Sequence, residues 1–220
     1  MRKTLILGTA FGLIAAVGLA TPAMADSKKD ATLYVLHAIP NTTVDVWVDS
    51  VLTLDNFEPG TLTDALSLPA GTYNVSITGP DASNDDDAIL EKDVTLKSGK
   101  NYTAVAHLDY EGDPAVTAYK NNLGSYGDGG RLTVRHDAYA PDVDILAGGT
   151  PVIENLSNPE EKSLKLAAGT VSAAVALAGE TAPVIGPADV TIEAGKTTIV
   201  YAWGSAADGT LGLAVQTLAP

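Results

Sequence analysis

The sequence predicts an all-β protein built as two tandem β-sandwiches. Three observations predict it. Apolar residues alternate in short runs, turn-forming residues punctuate those runs every few positions, and one segment occurs twice. The segment is His37-Ala38-Ile39-Pro40-Asn41-Thr42-Thr43-Val44-Asp45-Val46. It returns as His136-Asp137-Ala138-Tyr139-Ala140-Pro141-Asp142-Val143-Asp144-Ile145. In both, an alternating run ends in His, a turn-prone stretch follows, and Val-Asp opens the next run.

Residues 1–25 read as a secretory signal peptide. Arg2 and Lys3 precede an apolar stretch from Thr4 to Ala20, and Ala23-Met24-Ala25 supplies an Ala-x-Ala cleavage site. A charged leader, residues 26–31, is expected to be disordered. The first sandwich is assigned to 32–120. Leu33, Val35 and His37 share one face of its first strand, and Val44, Val46 and Val48 alternate with Asp45, Trp47 and Asp49 in the next. Val51 to Leu54 makes a third candidate strand. Pro59-Gly60 and Pro69-Ala70-Gly71 mark turns, and Tyr73, Val75 and Ile77 alternate against Asn74, Ser76 and Thr78. Gly79 to Asp87 is a loop by composition. Runs at Ile89–Leu96, Tyr102–Leu108 and Ala115–Tyr119 complete the module.

Four glycines among residues 121–130 make a linker that keeps the modules close without fusing them rigidly. The second sandwich, 131–220, matches the first in step. Leu132 answers Leu33, Leu164 answers Leu66 and Val190 answers Val94, at offsets of 99, 98 and 96 residues. The copies therefore differ by small loop deletions.

Cleavage after Ala25 removes two of the 13 basic residues and none of the 27 acidic ones, leaving a net charge of −16. Such a surface repels nucleic-acid phosphates and anionic lipid, which excludes both as partners. The chain has no cysteine, so it has no disulfide, thiolate nucleophile or lipobox. No membrane span is expected in the mature chain. The reading is a secreted protein, extracellular or periplasmic.

The matched segments resemble the DUF4397 family, a secreted bacterial and archaeal domain of unknown function. The resemblance rests on His37, Pro40 and Val44-Asp45, followed by Pro69-Ala70-Gly71-Thr72-Tyr73. In the second copy it rests on His136, Pro141 and Val143-Asp144, followed by Ala167-Ala168-Gly169-Thr170. That copy departs at Ala167 and Val171, where the family pattern has Pro and Tyr. The resemblance implies two immunoglobulin-like sandwiches and export, and it implies no catalytic residues.

Four groups of residues could carry chemistry. His37 with Asp45, and His136 with Asp144, have the composition of a base and its orienting carboxylate. A hydrolase would also need a nucleophile and oxyanion donors, and no Gly-x-Ser-x-Gly elbow is present. The plainer reading makes these pairs a structural signature, each ring nitrogen satisfying a backbone group in the adjoining turn. Asp81, Asp85, Asp86 and Asp87 offer oxygen ligands suited to weak Ca²⁺ binding, without EF-hand spacing. Trp47 between Asp45 and Asp49 could stack on a sugar ring while the carboxylates accept its hydroxyls; packing under a loop or against the other module is the alternative. The expectation is a non-catalytic binding or structural module, not an enzyme, that contacts cell-wall polysaccharide or a surface protein. The alternatives are a Ca²⁺-dependent surface protein and a secreted hydrolase using His37 or His136.

Overall fold

The computed structural model describes residues 29–124 and 126–220. Residues 1–25, expected to be a signal peptide, and residues 26–28 of the expected leader lie outside the described residues. Ala31, assigned to the leader by its charged neighbours, opens the first strand and is buried.

Among the described residues sixteen strands form four four-stranded sheets, in two halves of identical topology. In the first half, β1 (Ala31–His37), β4 (Leu66–Leu68), β7 (Asn101–Leu108) and β8 (Pro114–Lys120) make one sheet in the order β4-β1-β7-β8. Its partner, in the order β3-β2-β5-β6, contains β2 (Val44–Val48), β3 (Val51–Phe57), β5 (Gly71–Thr78) and β6 (Leu90–Leu96). The second half repeats the pattern. The sheet β12-β9-β15-β16 uses β9 (Gly129–Tyr139), β12 (Glu161–Ala167), β15 (Thr197–Ser205) and β16 (Gly212–Leu218). The sheet β11-β10-β13-β14 uses β10 (Val143–Ala147), β11 (Thr150–Leu156), β13 (Gly169–Leu177) and β14 (Pro183–Ile192). β1 runs parallel to β7, and β9 to β15; every other pairing between these strands is antiparallel. Among the described residues no helix is long and apolar enough to cross a membrane.

The two halves stack through the sheets that carry β1 and β9, so these inner sheets are covered on both faces. Alternation divides their side chains. On β7, Tyr102, Ala104 and Ala106 face their own sandwich, while Val105 joins Leu36, Tyr119, Ile199, Tyr201 and Leu218 in a cluster shared by both halves. A polar network runs beside that cluster. Arg135, 1 % exposed, bonds Glu161 at 2.9 Å, Asn121 at 2.8 Å and the Tyr201 hydroxyl at 2.9 Å, and its guanidinium lies 4.2 Å from the Tyr119 ring. Tyr119 donates to Asp137 at 2.7 Å, and Asn158 reaches across to the Leu108 carbonyl at 2.8 Å. A buried charge is tolerable only when its donors are satisfied, and here both halves supply the acceptors. The glycine-rich stretch is accordingly shorter as a linker than its composition indicated. Asn121 is buried in the interface, and Gly129 and Gly130 belong to β9, where the Leu166 and Glu193 carbonyls leave no room for a Cβ.

Candidate functional site

His37 ends the core-facing row of β1, and His136 stands in that of β9, one place in the row before Ala138. Each donates from Nε2 to a carbonyl of the following turn, Thr42 at 2.8 Å and Pro141 at 3.1 Å. Burial is the main cause that pushes both imidazoles below their ordinary pKa, and the carbonyl bonds oppose it. A neutral ring that donates from Nε2 holds a lone pair on Nδ1. In His136 that nitrogen receives the Ala138 N–H at 3.4 Å, whereas in His37 it is buried without a partner.

Asp45 and Asp144 hold β-bulges. Val44 pairs with Phe57 and Val46 with Leu54, so Asp45 stands opposite two residues, and its Oδ1 accepts the N–H of Asn56 at 2.8 Å. Asp144 accepts Asn155 at 2.9 Å and also Gly179 at 2.9 Å. Asn56 and Asn155 have φ of 52° and 51°, a left-handed conformation that Asn tolerates better than most residues. Each His thus bonds a turn and each Asp a bulge, and neither pair shares a hydrogen bond. A third histidine, His107, accepts from or donates to Thr117 Oγ1 at 2.9 Å, but the ring is wholly buried against the second half.

One reading of the sequence is corrected. Trp47 is no sugar platform. It is 8 % exposed, sits beside its cross-strand partner Ser76, and donates from Nε1 to Thr78 Oγ1 at 3.1 Å. Asp45 is buried beside it, and only Asp49 of the three is exposed. The polar face of β2 is covered because the indole itself closes over the small polar residues of β5. The loop acids are not gathered around a common point. Asp86 turns back onto Asn84 through two hydrogen bonds, and among the described residues no three His, Asp or Glu side chains converge as metal ligands. Exposed carboxylates repel one another unless a cation or donors gather them.

What the sequence did not show is a cleft. The first sandwich is open along the edge where β3 and β4 face each other, giving a cavity of about 520 Å³ between its sheets. Val35 and Ala104 line one wall, Val46, Leu54 and Val75 the other, and Val116 the back. His37 and Phe57, their rings stacked 5.8 Å apart, lie at one end, with Leu33 and Leu96 at the other. Few polar side chains border it, chiefly His37, Asp49, Thr53, Ser67 and Tyr73. The volume lies within the range of small-molecule pockets, roughly 300–1,000 Å³, and the lining is of the apolar kind they use.

The second sandwich is the internal comparison. Its equivalent interior is one continuous cluster that includes Leu132, Val134, Ile145, Ile153, Val190 and Val200, whereas the first sandwich has two, one around Leu33 and Leu96 and one around Val46 and Phe57. A cavity of about 370 Å³ does lie in it, but at the His136 end alone, beneath Pro141. The cause is local. β12 pairs with β9 over seven residues and approaches β11, whereas β4 pairs with β1 over three. The chain between β3 and β4, residues 58–65, is twice as long as its counterpart 157–160, and Thr61 and Thr63 within it bond the backbone of His37 and Val35. Gly60, at φ 77°, lets that loop meet Trp203 of the second half, where a Cβ would stand 2.7 Å from the indole. Side-chain size contributes too: Val46, Ala104 and Val116 stand where the second sandwich has Ile145, Val200 and Leu213.

Comparison with known families gives one match: the family described as "Domain of unknown function (DUF4397)", over residues 31–145. It spans the whole first sandwich and continues through β9 and into β10. No curated protein matches the chain.

Proposed function

The chain belongs to the DUF4397 family, and from that premise we propose that it is an exported, non-catalytic binding protein whose first sandwich holds a small apolar ligand. The second half is then a diverged copy of the same domain that serves as a rigid support. The observation that carries this reading is the contrast between the two halves. One topology, repeated in one chain, has a single continuous core in one copy and, in the other, a core divided into two clusters with a wider apolar cleft. A core left open forgoes the dispersion and transfer energy that its twin collects, about 0.8 kcal/mol for each CH₂ not buried. Occupancy by a ligand returns that energy at the moment of binding. The histidines support a role without chemistry, since all three are buried and hydrogen-bonded to turn or strand groups.

Titration with N-phenylnaphthylamine, an uncharged probe that fluoresces in apolar surroundings, tests the reading. One saturable site per chain is expected. The triple substitution Val46→Ile, Ala104→Val and Val116→Leu gives the first sandwich the residues of the second and should abolish it. Undiminished fluorescence in a folded triple variant would place the probe elsewhere and overturn the proposal. Export is tested separately by the N-terminus of the protein recovered outside the cytoplasm. Sequencing should begin at Asp26; a retained Met1 on a cytoplasmic product would contradict it.

A further inference from the structure

The charges around the cleft restrict what it can hold. From Ala31 to Glu91, the stretch that supplies β1 to β5 and both lips of the mouth, the chain has ten acidic residues and no Lys or Arg. Asp55, Glu58 and Asp64 flank the His37 end and are exposed. Glu58 is close enough to His37 to favour a positive charge on the ring. Among the cations of this sandwich, Lys92 of β6 stands across the strand from Val75, and Lys29, Lys97 and Lys100 gather at the end away from His37, where Gly99 and Ser98 bond the Lys29 carbonyl. The cleft is therefore polarised along its length, negative at the end where β1 finishes.

A second observation is independent of charge. His37 lines the cleft, its side chain is wholly buried, and its Nδ1 has no hydrogen-bond partner. Nε2 must be the protonated nitrogen, because it faces a carbonyl that can only accept. Nδ1 is then an unused acceptor among apolar neighbours, and an unmet buried acceptor is costly. The second copy meets the same need internally, with the Ala138 N–H. Nδ1 is covered by its neighbours, so a ligand donor completes the first copy only by displacing them.

We propose that the cleft takes a single-chain cationic amphiphile, an alkylammonium, with its chain between the sheets and its ammonium at the His37 end. One N–H is donated to His37 Nδ1, and Glu58 with its acidic neighbours supplies the counter-charge. A fatty carboxylate of the same length has the wrong charge for the rim and no donor for the imidazole. This inference rests on the cleft being a ligand site, and the test separates the two claims.

Decylammonium, decyltrimethylammonium, decanol and decanoate, each below its micellar concentration, are titrated into the full exported chain by calorimetry at neutral pH. Decylammonium is expected to bind more tightly than decanoate by at least about tenfold at low salt, with the margin shrinking as salt screens the rim. Decyltrimethylammonium has the charge without the N–H and should bind several-fold more weakly than decylammonium. Glu58→Gln, an exposed position with no side-chain bond in the fold, should weaken decylammonium severalfold and leave decanol unchanged. If all four chains bind alike, or decanoate binds best, the cleft reading stands and the cationic specificity is overturned. If none binds, both fail. A peptide of alternating Lys and Val that binds while decylammonium does not would place the cation on the open edge of β3, and would likewise overturn the proposal.

Discussion

Ala104 and Val200 occupy the same register in the two halves, opposite Val35 on β1 and Val134 on β9. Ala104 lines the cleft; Val200 lies in the packed cluster of the second sandwich. Ala104→Val adds two carbons to an apolar space that has room for them. At about 0.8 kcal/mol per buried CH₂ the gain is up to about 1.6 kcal/mol, in a strand that favours a β-branched residue. For a chain of this size that raises Tm by about 3–6 °C. Val200→Ala removes the same two carbons from a filled site. The transfer loss is again about 1.6 kcal/mol, and the void left behind brings the cost to about 2–3 kcal/mol, a fall of about 4–12 °C. Scanning calorimetry of both variants checks the pair, and opposite signs at equivalent positions are the expected result. A lower Tm for Ala104→Val, of the about 1–3 kcal/mol that overpacking costs, would show that the first interior is already full and would refute the cleft.

Three further outcomes follow from the geometry. Asp137 is fully buried between the halves, and burial is the main cause that raises its pKa from 3.8 to about 7, against the Tyr119 hydroxyl and Arg135. Between those values the folded state binds the proton and the unfolded state does not, so this residue's contribution to stability falls as pH rises from about 4 to about 7. Asp137→Asn should remove that slope, and denaturant titrations in which wild type and variant keep the same pH dependence would contradict the assignment. Asp144→Ala should destabilise more than Asp45→Ala, each within about 1–3 kcal/mol per orphaned backbone donor, because Asp144 serves two N–H groups and Asp45 one; equal urea midpoints would count against the bulge role. Gly60→Ala should cost about 1 kcal/mol or more through its positive φ and the contact with Trp203, and Trp203→Ala in the same chain should relieve only the contact part. A strictly additive double-mutant cycle would show that the two residues are not coupled.

The architecture was legible in the sequence where a physical period records it. Val44, Val46 and Val48 alternate because one side of β2 faces a core, and the recurring His-to-Asp spacing marks the repeated topology because a turn-bonded His and a bulge recur at fixed separation. Alternation tells which side a residue takes, not whether that side is wet. Trp47 falls on the polar side and is still buried, since it shields Ser76 and Thr78. The interface was hidden for a related reason: Arg135 and Asp137 are polar residues of β9 that are buried only where the first half packs over them. The cleft depends on how far two sheet edges stand apart, which no local pattern encodes. Its trace was the difference between the copies, in the longer connection after Phe57 and in Ala104 set against Val200.

The central claim is that one sandwich is built to be occupied and its twin is not. Methyl NMR of the full chain, titrated with decylammonium, tests it most directly. The account predicts saturable shifts at Val35, Val46, Val75 and Val116, reaching completion at one ligand per chain, with Val134, Ile145 and Val200 unmoved. Shifts of equal size in both sandwiches, or confined to surface methyls such as Val152 and Val215, would contradict it.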